Sequence, residues 1–75
     1  MKKEDYVAIA VKVLKVTKEV AIENNKEIAK NVIYFWNPVK GGLHMIIGND
    51  GTYLAATSAV NPDKLIEEFN NGKRN

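Results

Sequence analysis

The stretch from residue 41 to residue 69, GGLHMIIGNDGTYLAATSAVNPDKLIEEF, constrains the fold most. Two strand-like runs flank Gly48-Asn49-Asp50-Gly51. Asp-Gly suits the positive φ angles of tight hairpins, so Leu43–Ile47 and residues 52–58 are predicted to pair antiparallel. A helix start follows. Asn61 is a good N-cap, Pro62 fits the first helical position, and Asp63 complements the helix dipole. Leu65, Ile66 and Phe69 supply its apolar face, Gly72 is a natural stop, and residues 72–75 are expected to fray.

Upstream, Val32-Ile33-Tyr34-Phe35-Trp36 is β-branched and aromatic, a strand signal that Asn37-Pro38 ends. Residues 39–42 form a loop with a glycine pair. Residues 4–23 carry two patterns. Val7, Ile9, Val11 and Val13 alternate as in a strand, whereas Lys12, Lys15, Glu19 and Glu23 recur as a polar helical stripe. The helical pattern persists over the longer window with no Gly or Pro, so a helix is predicted. Its end is open: it stops near Asn24-Asn25, or resumes through residues 26–30 and runs to Asn31. The expectation is one small α+β domain over residues 1–75. Its order is α-β-β-β-α, with a three-stranded antiparallel sheet and helices on one face.

A 75-residue chain is one domain at most, and chains this short often rely on disulfides, metal or self-association. The absence of Cys excludes disulfides and thiolate zinc sites, and a single His excludes clustered imidazoles. An apolar core or an oligomer remains. The net charge of +2 does not argue for nucleic acid. MKKED lacks a secretory pattern, and the apolar run from Tyr6 to Val11 is too short to span a bilayer. A cytoplasmic protein with no membrane partner is expected.

An even-length hairpin loop would put Leu43, Met45 and Ile47 on one face with Leu54 and Ala56. His44 and Ile46 would then join Tyr53, Ala55 and Thr57 on the other. Tyr34 and Trp36 are assigned to that second face, because their polar tips favour partial access to water. Helices on the first face would leave Trp36, Ile46 and Tyr53 exposed together. The candidate interaction surface is therefore Tyr34, Trp36, His44, Ile46 and Tyr53. Alternatively the N-terminal helix wraps around and covers it, or an open sheet edge pairs across a two-fold axis.

Chemistry-bearing residues are sparse. His44 titrates near neutrality but has no sequence-evident partner for general base work. Gly41-Gly42 lacks the Lys-Ser/Thr ending of a phosphate loop, and Gly48-Asn49-Asp50-Gly51 lacks the closing Glu of a calcium loop. Thr57 and Ser58 have no activating pattern nearby, and Glu67-Glu68 read as a solvated helix face. The aromatic strands carry no interleaved Arg or Lys, with only Lys40 and the tail near, so nucleic acid is not an expected partner.

The hairpin MIIGNDGTYLAATS resembles the strand–Asp-Gly–strand element of roadblock-like and other profilin-like or sensor domains. The resemblance covers that hairpin alone and implies no site residue. The N-terminal half lacks the strand pair before a middle helix that a complete domain of that kind has. The functional expectation is a non-enzymatic interaction protein with no catalytic residue, cofactor or metal. It would be a homodimer formed through its sheet face or edge, with a second protein as a further partner in an adaptor or inhibitor-type role. The alternative is a binder of small molecules or single-stranded nucleic acid on the aromatic face.

Overall fold

The computed structural model describes residues 1–39 and 41–74. Helix α1 (Lys3–Leu14) opens with Glu4 and Asp5 in its first turn, where negative charge meets the positive end of the helix dipole. It buries Tyr6, Val7, Ala10 and Leu14, a helical spacing that forms one face. Lys15 then turns left-handed at φ 58° and ends it. Helix α2 (Lys18–Glu23) starts afresh, with Thr17 Oγ1 accepting from the Val20 N–H at 3.2 Å. The single helix expected over residues 4–23 is thus two helices, broken where no Gly or Pro announces it. Asn25 Nδ2 closes α2 by donating to the carbonyls of Ala21 and Ile22.

Strand β1 (Asn25–Ala29) occupies the segment read as a possible helical continuation. Asn31 at φ 60° turns the chain, and β1 pairs antiparallel with β2 (Val32–Trp36). Pairing with a strongly β-forming neighbour overrides the helical preference of Lys26, Glu27 and Ala29. Strands β3 (Leu43–Ile47) and β4 (Tyr53–Thr57) follow, and the sheet has four strands in the order β1-β2-β3-β4 rather than three. Helix α3 (Pro62–Asn70) starts as predicted, with Asn61 Oδ1 accepting from the Asp63 N–H at 2.8 Å.

The β3–β4 turn corrects the predicted sidedness. The Gly51 N–H donates to the Gly48 carbonyl at 3.0 Å, Gly51 sits at φ 85°, and the Gly48 N–H donates to the Thr52 carbonyl at 2.9 Å. The loop is therefore odd in length, a β-turn followed by a left-handed glycine, and not the two-residue turn that Asp-Gly suggested. Ile47 faces Tyr53 and Met45 faces Ala55, while Ile46 faces Leu54 and His44 faces Ala56. One residue more in the loop moves every β4 side chain to the opposite face.

Helices cover both faces of the sheet, not one. Ile33, Phe35, Met45 and Ile47 pack under Tyr6, Val7, Ala10 and Leu14 of α1 and Ala21 of α2. On the other side Ile46 packs against Leu65 and Phe69 of α3, with Val32, Tyr34, Leu54 and Ala56 around them. Burial of Met45, Ile46 and Ile47 in succession is what a central strand covered on both sides requires. Among the described residues, no helix is long and apolar enough to cross a membrane.

Candidate functional site

Pairing of β2 with β3 places Tyr34 opposite Ile46 and Trp36 opposite His44, all on the α3 side of the sheet. Tyr34 and Trp36 lie two residues apart on one strand, and their rings stack with centroids 5.5 Å apart. The Tyr34 hydroxyl lies 2.9 Å from His44 Nδ1, and the two rings meet edge to face. His44 is only 5% exposed and, among the described residues, is the buried polar exception in an apolar core.

Burial holds the His44 pKa below its ordinary 6.5, against an opposing pull from the main-chain groups of Thr57 and Val60. Burial also raises the Tyr34 pKa, so the phenol keeps its proton. A neutral imidazole accepting the Tyr34 O–H at Nδ1 carries its own proton on Nε2. That assignment suits the neighbouring main-chain groups, whose effect favours a proton on the ring. Nε2 is nevertheless buried and makes no hydrogen bond.

Beside this pair lies a cleft of about 210 Å³, walled by Trp36, Asn37, Gly42, Ser58 and Pro62. A Cβ on Gly42 would stand 2.8 Å from the Asn37 Cβ, so this wall needs glycine.

The five candidate surface residues are not brought together. Tyr34, Trp36 and His44 cluster as expected for one face. Ile46 is 0% exposed, sealed by Leu65 and Phe69. Tyr53 lies on the opposite face, against the α1 core. The exposed Trp36–Ile46–Tyr53 patch is therefore absent, for two reasons: α3 crosses to that side of the sheet, and the odd hairpin loop inverts β4. The alternative cover, the N-terminal helix wrapping around, is not what closes it. Lys40 lies outside the described residues. Arg74 lies 3.8 Å over the Phe69 ring, and its Nε donates to the Phe69 carbonyl.

Asp50 accepts from the Thr52 N–H at 3.0 Å and the Thr52 hydroxyl at 2.6 Å. These bonds hold its carboxyl below the usual range and commit it to the turn. Among the described residues, no three His, Asp or Glu side chains converge to hold a metal ion.

The two sheet edges differ. Edge strand β1 carries Lys26 and Glu27, and its register shifts between Glu27 and Ala29, features that discourage further pairing. Edge strand β4, Tyr53-Leu54-Ala55-Ala56-Thr57, has no charge, no Pro and an unbroken register. The Gly48–Thr52 bond fixes which backbone groups face where. Those of Leu54 and Ala56 turn toward β3, and those of Tyr53 and Ala55 point out of the sheet.

No protein-family model, curated protein or solved structure matches this chain.

Pairing at an open sheet edge was among the expectations from sequence, without a choice between the two edges. The signal was present in YLAAT, an uncharged strand. Its contrast with the charged, register-shifted β1 edge became legible only with the fourth strand in place.

Proposed function

We propose that this chain is a non-enzymatic interaction module that self-associates through β4, joining two sheets across a two-fold axis. The observation that carries the proposal is the contrast between the two edges: β1 is charged and bulged, β4 bare and regular. A two-fold axis at Ala55 would pair Tyr53 with Thr57 of the second copy and satisfy the outward groups of Tyr53 and Ala55. The half-buried side chains of Tyr53, Leu54, Ala55 and Ala56 would lose further contact with water. Such a dimer fits an adaptor or inhibitor-type binding role, in the cytoplasm, with a second protein as the further partner.

Amide hydrogen exchange at two protein concentrations tests this. The Tyr53 and Ala55 amides are expected to be slow in the concentrated sample and fast on dilution, with Leu54 and Ala56 slow in both. Fast exchange at Tyr53 and Ala55 throughout would refute the pairing.

A second reading rests on a separate observation. His44 lines the Trp36 cleft together with Tyr34, Asn37 and Ser58, an aromatic wall with polar groups that suits a small polar molecule. It predicts a Trp36 fluorescence change on binding, titratable with a panel of small carboxylates and nucleosides. Silence across the panel would remove this reading and leave the β4 dimer untouched.

A further inference from the structure

Along the flank of α1 next to α2, two hollows of about 450 and 360 Å³ share Glu4, Val7 and Lys18 and so form one groove. Its floor is apolar: Val7 is buried, Val11 half-buried, and Ile22 projects from α2 at 52% exposure, doing nothing for its own core. Its rim is cationic. Lys2, Lys3 and Lys18 border it against a single acid, Glu4. Lys3 donates to the neutral Asn25 side chain, and among the described residues none of the three lysines lies within ion-pair distance of a carboxylate.

We infer that this groove docks an amphipathic helix of a partner protein whose apolar anchors are flanked by acidic residues. Charge complementarity selects the sign of the flanks, and the recessed floor selects a convex partner. A flat anionic bilayer would touch Ile22 and leave Val7 unfilled. Between Glu4 and Val11, α1 advances about 10 Å, the length of two helical turns and enough for anchors one and two turns apart. A second copy of this chain does not supply such a helix. Its acidic helix α3 already buries Leu65 and Phe69 against its own sheet. The groove is also separate from the β4 edge.

The test uses the full chain and a helix-stabilised synthetic peptide carrying leucines on one face and glutamates beside them. A lysine-flanked twin and phosphatidylglycerol vesicles serve as comparisons, read by methyl NMR. Saturable shifts at Val7, Val11 and Ile22 are expected with the glutamate peptide. Binding of the lysine twin should be about tenfold weaker, the scale of a few surface charge contacts. Ile22→Glu should abolish the shifts, and Lys18→Glu should move the preference toward the lysine twin. Equal binding of both peptides, shifts confined elsewhere, no shift at all, or vesicle binding in place of peptide binding would each overturn the inference.

Discussion

The Tyr34 hydroxyl stands 2.9 Å from His44 Nδ1, linking β2 to β3 beneath the connection from β4 to α3. It satisfies one nitrogen of a ring that is otherwise buried, with the main chain of Thr57 and Val60 beside it. Tyr34→Phe removes the donor while keeping the ring, and leaves Nδ1 buried without a partner. The expected loss is about 1–3 kcal/mol by urea unfolding, and an unchanged midpoint would mean the pair adds nothing to stability.

Acidification should expose the same histidine. Burial keeps the His44 pKa below its ordinary 6.5 in the folded chain. Below that value the unfolded chain binds a proton that the native state refuses, so the unfolded state gains. The contribution is complete above 6.5 and is lost as pH falls through 6.5 toward the folded value. As pH falls below 6.5, stability should fall with a slope of at most about 1.4 kcal/mol per unit until the folded ring itself takes up a proton. His44→Gln should flatten that slope. Asp50, also held low, loses its own contribution only below its ordinary 3.8 and does not confuse this window. An equal slope in the variant would show that His44 is not the group responsible.

Lys15 holds a left-handed conformation, φ 58°, at the end of α1. A side chain there is strained and glycine is not. Lys15→Gly should raise unfolding stability by about 1 kcal/mol, offset in part by the freer unfolded chain. A loss of stability would mean the Lys15 side chain contributes more than its backbone costs.

What the sequence made legible follows from how local each signal is. Val32–Trp36, Leu43–Ile47 and the Asn61-Pro62 helix start all rest on neighbouring residues, and all three stand in the structure. Lys15 breaks the first helix without any residue that favours breaking it. Residues 26–30 become a strand because β2 lies beside them, a tertiary cause that their own composition opposes. The face assignment failed on one residue of loop length, which Asp-Gly alone does not determine. At the candidate site, the Tyr34–Trp36–His44 grouping was readable from alternation within strands. The cover over Ile46 was not, because it depends on which side of the sheet α3 crosses.

Phe69 is the main seal on the α3 face, almost fully buried against Ile46 and Leu65. Phe69→Ala should cost about 3–5 kcal/mol by urea unfolding. Arg74→Ala, which removes only the cation over that ring, should cost about 1 kcal/mol or less. Equal losses would contradict this division between the buried ring and its cationic cover.

Molar mass by light scattering after size exclusion, across a dilution series, tests β4 pairing most directly. The wild-type chain should run as a dimer that dissociates on dilution. Ala55→Pro should be monomeric throughout with unchanged far-UV circular dichroism, because the Ala55 N–H points away from β3 and its loss removes no ladder bond. A wild-type monomer at every concentration, or a dimer that survives Ala55→Pro intact, would contradict the account.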